Sequence, residues 1–213
     1  EGPFSAAYLE GGDGCGMGDI TRDQYGSFTP MTALTSARLV IEAVGAQDST
    51  VGVLPLPRPG DQDPWWRHLA TGEQDTPRII ARLPFISGGN QRGGEPEALV
   101  ICPVDQEPTG RDRSFIVIEA AGEIDRPALA RALAAAAMPP LFTAPLHFKE
   151  DGGHWLCLAE VDGLKDPGGG CLRRLGDALN EGPDTNVRRV ITLGGYAVPL
   201  TAADLGPQKG GDQ

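Results

Sequence analysis

The sequence has no apolar run approaching the roughly 20 residues that a membrane-spanning helix requires, and its first residues show no signal-peptide pattern. No membrane partner is therefore expected, and the chain reads as cytoplasmic. Cysteine pairs at metal-site spacing are missing as well. The four cysteines are scattered without a C-x-x-C, which removes the usual zinc motifs and suggests no disulfide framework. Histidine is scarce: His68, His147 and His154 lie far apart in sequence, so neither a metal nor any other cofactor is expected. Basic residues are outnumbered, 18 against 29 acidic ones. The resulting net charge of -11 repels a phosphate backbone and argues against nucleic acid. Phosphate-binding loops are lacking too. The clusters Gly11-Gly-Asp-Gly-Cys-Gly16 and Gly168-Gly-Gly170 have neither the G-x-G-x-x-G nor the G-K-[ST] spacing, and read as loops.

What the chain does contain is a clear order of elements in its last part. Ser114-Phe-Ile-Val-Ile-Glu119 is short, apolar and β-branched, the pattern of a buried strand. Asp125 can cap a following helix with Pro127 in its first turn, and Leu129, Leu133, Ala136 and Ala137 fall on one face. Pro139-Pro140 stops that helix. Two strands, 141–148 and 154–161, flank a polar hairpin at 149–153. Leu172, Leu175 and Leu179 mark a second amphipathic helix, and 187–193 a closing strand. The order βαββαβ implies a ferredoxin-like sheet with both helices on one face.

The first half alternates differently. Strands are expected at 4–9, 50–56, 78–85 and 98–101, with helices at 19–25, 36–44 and 64–70; Thr35 or Ser36 can cap the second helix. Such alternation argues for an α/β unit with a largely parallel sheet. A glycine-rich stretch between Ile86 and Glu97 reads as a loop.

These features carry a resemblance. Arg113-Ser114, Val161-Asp162-Gly163 and Leu193-Gly194-Gly195-Tyr196, at their places in the βαββαβ order, resemble the ACT domain that follows the catalytic part of prephenate dehydratase. Val51-Gly-Val-Leu-Pro-Leu56 resembles that family's strand leading into its active-site loop. The resemblance implies an α/β protein with a single truncated periplasmic-binding-protein-like (dehydratase-type) lobe at 1–104, a linker at 105–110, an ACT-like domain at 111–200 and a disordered tail at 201–213. It further implies homodimers formed through the ACT-like domain and a small aromatic acid or amino acid as ligand.

The departures from the family are equally specific. A dehydratase places a second lobe between the strands corresponding to 78–85 and 99–101, and only about a dozen residues are available here, too few for a lobe. Where the family has threonine-arginine-phenylalanine, this chain has Pro96-Glu97-Ala98, losing the hydroxyl and exchanging a cation for an anion. After Leu56, Pro57-Arg58-Pro59 replaces glutamate, asparagine and serine. The effector stretches differ also, with Gly122-Glu-Ile-Asp125 and Thr143-Ala-Pro-Leu146. No catalytic residue is therefore assigned.

One cluster offers a ligand site: Asp63-Pro-Trp65-Trp66-Arg67-His68. In one reading Trp65 stacks on an aromatic acid whose carboxylate pairs with Arg67 and Arg58, with His68 alongside. In the other, Pro64 starts a short helix and the indoles cover the sheet. Glu1 is not an initiator methionine, and similar sequences follow a helical chorismate mutase domain. The chain is thus expected to be a non-catalytic regulatory or assembly part of a chorismate mutase/prephenate dehydratase-group protein in aromatic amino-acid biosynthesis. A residual dehydratase, or the C-terminal part of an active chorismate mutase, is the alternative.

Overall fold

A computed structural model describes residues 2–61, 63–73, 75–86, 96–148, 154–181, 186–201 and 203–204. The loop expected between Ile86 and Glu97 lies outside the described residues at 87–95, as do the hairpin connection at 149–153, residues 202 and 205–213 of the tail expected at 201–213, and the side chain of His147. The start of that tail is ordered rather than disordered, because Asp204 accepts from Thr201 and pairs with Arg111 at 2.8 Å. The first half contains β1 (Ala6–Leu9), α1 (Met17–Tyr25), β2 (Met31–Leu34), α2 (Ala37–Gly45), β3 (Val51–Pro55), a 3-10 turn (Trp65–Leu69), β4 (Arg78–Leu83) and β5 (Ala98–Cys102). The second half contains β6 (Asp112–Ala120), α3 (Arg126–Ala135), β7 (Pro140–Phe148), β8 (His154–Asp162), α4 (Gly170–Asn180) and β9 (Val187–Ala197). The nine strands among the described residues belong to one sheet, in the order β2-β1-β3-β5-β4-β9-β6-β8-β7.

Local chemistry accounts for the helix ends. The Ser36 hydroxyl accepts from the Leu39 N–H, and the Asp125 carboxylate accepts from the Ala128 N–H. Each satisfies a main-chain donor that the first helical turn leaves without an acceptor. At the other end of α3 the expected apolar face stops one residue early. Ala136 is buried, but Ala137 has φ 57° and is exposed, because the chain turns left-handed there before Pro139.

Two further differences from the sequence pattern have physical reasons. β2, not anticipated, is an edge strand parallel to β1 with no buried residue, so it carries no apolar alternation. The sheet of the first half is also less parallel than its alternation implies. β1 pairs in parallel with β2 and β3, but β5 runs antiparallel to both β3 and β4. β4 and β5, consecutive among the described strands, are antiparallel neighbours.

Three apolar layers hold the sheet. α1 contributes Met17 and Ile20 to a cluster with Val51, Val53 and Val100. On the βαββαβ unit, Leu129 and Leu133 of α3 and Leu172, Leu175 and Leu179 of α4 pack with Ile116, Ile118 and Ala159, so both helices cover one face as expected. The third layer crosses from one half to the other: Val40 and Val44 of α2, Trp65 and Trp66 share a cluster with Phe115, Val117 and Leu158. α2 can lie close to the sheet because position 52 is glycine. A Cβ there would stand 2.8 Å from both Val40 and Ile101 side-chain carbons.

The halves join where β4 meets β9, in parallel, at Ile79 and Gly194. Gly194 has φ 106°, and a Cβ on it would lie 2.2 Å from the Ile79 carbonyl oxygen. Only glycine fits both demands. Residues 105–110, expected as a linker, are tied to the start of β6. Buried Asp112 accepts from Gln106 Nε2 (2.9 Å), Thr109 N (2.9 Å), Thr109 Oγ1 (2.7 Å) and Gly110 N (3.0 Å).

Candidate functional site

The motifs that carry the family resemblance meet at this join. Ser114 Oγ donates to the Gly163 carbonyl (3.0 Å) and accepts from the Lys165 N–H (2.9 Å), so the serine of Arg113-Ser114 staples the turn that contains Asp162-Gly163. In Leu193-Gly194-Gly195-Tyr196, Leu193 and Tyr196 are core residues, 2% and 0% exposed. The glycines let neighbouring strands approach, since a Cβ on Gly195 would lie 2.4 Å from the Arg113 carbonyl oxygen.

Tyr196 anchors a charged network that spans the join. Its hydroxyl donates to Glu160 Oε1 and accepts from Arg82 Nη1 at 3.1 Å. Arg82 Nη2 donates to Glu97 Oε1 at 2.7 Å. Arg113 Nη1 stands 3.6 Å, and Arg82 Nη1 4.0 Å, from Glu160 Oε1. Five strands or strand ends thus supply two cations, two carboxylates and a phenol. The Arg82 guanidinium also lies 5.7 Å from the Tyr196 ring centroid, within cation–π range.

Electrostatics within the network oppose release of a proton. Burial, reinforced by the hydrogen bond to Glu160, raises the Tyr196 pKa above that of an ordinary phenol. Burial works against the Arg82 cation, but its bonds to Glu97 and Tyr196 outweigh that and push its pKa up. Formal charges within the set balance. The Nε atoms of Arg82 and Arg113 are buried without a partner among the described residues, so each guanidinium is held by its Nη atoms. None of Arg82, Arg113, Glu160 or Tyr196 was singled out chemically in the sequence, because the residues are dispersed over more than a hundred positions. Tyr196 of the closing motif and Arg113 of Arg113-Ser114 were the available signals.

The residues suggested as ligand-binding occupy a different place. Trp65 and Trp66 are 6% and 1% exposed and share one core cluster; Trp65 Nε1 donates to the Pro55 carbonyl at 3.0 Å. Arg67 pairs with Asp63 at 2.7 Å. His68 is partly buried, and burial, then the nearby Arg67 charge, lowers its pKa. Arg58 is exposed in the connection after β3. Trp65, Arg67 and His68 thus share one 3-10 turn with the indole facing inward, while Arg58 stands outside it. Among the described residues no group of three or more His, Cys, Asp or Glu is placed to hold a metal, and no helix is long and apolar enough to cross a membrane.

No protein-family model and no curated protein matches this sequence. Solved structures do match. The prephenate dehydratase of Streptococcus mutans superposes with a TM-score of 0.59 at 13% identity, over 93% of this chain and 100% of that one. The chain has a prephenate dehydratase-type fold. The Arthrobacter aurescens prephenate dehydratase in complex with L-Phe gives a TM-score of 0.60 at 12% identity, with 90% of each chain covered. A structure described as GqqA, a novel type of quorum quenching acylase, gives 0.60 at 15% identity over 95% of this chain and 98% of its own. The shared architecture is a periplasmic-binding-protein-like lobe plus an ACT-type region. Within that dehydratase-type fold, Glu97 of the Pro96-Glu97-Ala98 stretch closes the network onto Arg82.

Proposed function

We propose that this chain is a non-catalytic, regulatory or assembly part of a protein of the chorismate mutase/prephenate dehydratase group, acting in aromatic amino-acid biosynthesis. Residues 1–104 form its dehydratase-type lobe and 111–200 an ACT-type region that pairs two copies. The observation that carries this reading is the closure of Glu97 on Arg82 and of Arg82 on Tyr196. Loss of hydroxide with carbon dioxide needs a proton donor at the leaving oxygen and cations facing the carboxylates. Here Arg82 is engaged by the chain's own Glu97, and the Tyr196 phenol is fully buried. Burial of both indoles supports a packing role for Trp65 and leaves Arg58, Arg67 and His68 partly or wholly exposed. Incubation with prephenate should give no ultraviolet absorbance from the phenylpyruvate enolate; measurable turnover would overturn the reading.

The near-complete coverage of the GqqA chain supports a second reading, hydrolysis of an acyl amide. Release of a free amine from N-acyl substrates by the purified chain would favour that reading over the first.

A further inference from the structure

α4 and the first residues of β9 flank an open cavity of about 470 Å³, within the range of about 300–1,000 Å³ usual for small-molecule sites. α4 supplies Arg173, Gly176 and Asp177 to its wall, and β9 supplies Arg188. Buried Leu172 and the half-buried Val187 and Val190 give it an apolar lining as well.

Charge around this cavity is unmatched. Arg188 Nη1 stands 3.8 Å from Glu119 Oε1, and the same carboxylate accepts from Arg189 Nε, so one anion serves two cations. Arg189 is fully engaged, because its two Nη atoms donate to the Ala70 and Thr71 carbonyls. The Arg173 guanidinium forms no ion pair or hydrogen bond among the described residues, although Asp177 lies one turn further along the same helix. Three guanidiniums thus stand against two carboxylates, a local excess of positive charge in a chain whose net charge is -11. Salt screens more distant carboxylates beyond about 8 Å, so the cations at the wall decide what binds. The crevice lined by Gln106 and Lys165, which shares Pro167 as a wall, differs: Asp105 and Asp166 there match Arg78 and Lys165.

Gly176 keeps the cavity open. Glycine inside a helix is destabilising relative to alanine, and packing does not require it here. A Cβ would meet only Val190 Cγ2, at 3.7 Å, an ordinary contact. What the bare face of α4 provides at this position is room beside β9.

We propose that this cavity binds a small phosphate monoester with an apolar body. The phosphate meets Arg173 from α4 and Arg188 from β9, because guanidinium forks donate in pairs to oxyanions and a phosphate has oxygens enough for both. The apolar body lies along Leu172, Val187 and Val190. The site is separate from the Gly122–Asp125 and Thr143–Leu146 stretches, which precede α3 and belong to β7. It is independent of the function proposed above.

Calorimetry and NMR titration of the full chain at about pH 8, where a phosphate monoester is a dianion, test the proposal with phenyl phosphate, inorganic phosphate and benzoate. Phenyl phosphate should bind at millimolar concentration or below, about tenfold or more tighter than benzoate and tighter than inorganic phosphate. Amide shifts should fall in α4 and at 187–190. Arg173→Met, which removes no ion pair among the described residues, and Arg188→Met should each weaken binding by about tenfold or more. Gly176→Leu, which fills the cavity and changes no charge, should abolish it. No binding of phenyl phosphate, equal binding of benzoate or inorganic phosphate, binding that survives Arg173→Met, or shifts confined to residues outside α4 and β9 overturns the proposal. Should Gly176→Leu or Arg188→Met fail to fold, Arg173→Met decides the matter together with the comparison of anions.

Discussion

The network around Glu160 and the crevice lined by Gln106 and Lys165 lie on neighbouring residues of β9 but treat polar groups in opposite ways. In the network, each carboxylate has a cation and the phenol both donates and accepts. In the crevice, an ammonium and a buried amide oxygen have no partner among the described residues. The contrast shows how one join can match its charges on one side and leave polar groups unmatched on the other. Charges that complete one another from within the chain lock two halves together, whereas a buried polar group left over costs stability.

The largest expected effect comes from breaking the brace. Glu160→Gln leaves two partly buried guanidiniums without their shared carboxylate, and we expect a loss of about 3 kcal/mol in denaturant unfolding. Replacing Arg82, Arg113 and Glu160 together with apolar residues of similar size should cost far less, because no uncompensated charge remains. If the single and triple variants lose the same stability, the network is not a charge-coupled brace.

Gly194→Ala should follow, since it strikes brace and crevice together. The new Cβ would press on the Ile79 carbonyl at a φ of 106°. Strain of this kind costs about 1–3 kcal/mol, and slower-unfolding amides in β4 and β9 should exchange hydrogen faster. Unchanged exchange in both strands would mean that the join does not depend on their close approach.

Asp112→Asn should be smaller and confined to the crevice wall. Burial alone would raise the Asp112 pKa, but hydrogen bonds from Thr109, Gly110 and Gln106 outweigh it and hold the carboxyl below the ordinary value. A carboxylate with a depressed folded-state pKa adds stability above its unfolded pKa of about 3.9, and that stability disappears as pH falls through the folded value. The variant should therefore be less stable by about 1–2 kcal/mol at neutral pH, with the difference from the parent chain closing below about pH 4. A difference that does not shrink on acidification would assign the effect to packing rather than to the carboxylate.

Much of the fold was legible from periodicity. The βαββαβ order, the Asp125 cap and the leucines of α4 all depend on residues near one another in sequence, and the structure places them as the spacing implies. β2 escaped because an edge strand without buried residues has no apolar pattern to read. The antiparallel return of β5 escaped because alternating elements do not specify strand direction. At the site, Tyr196 was visible within a motif, but nothing local announced that Arg82 would reach it across 114 positions. Adjacent tryptophans drew attention to a turn whose indoles the fold uses as core.

The sequence by itself determined where most chain segments become strand or helix and which faces are apolar. Those properties follow from local sterics, capping and hydrophobic spacing. Only the tertiary structure decided that nine strands among the described residues share one sheet, that the motifs of the closing unit serve as a brace, and that the Gln106 amide oxygen is buried beside it without a donor. Partner choice among charged and polar groups depends on through-space distance and exclusion of water, and neither is written in the order of residues.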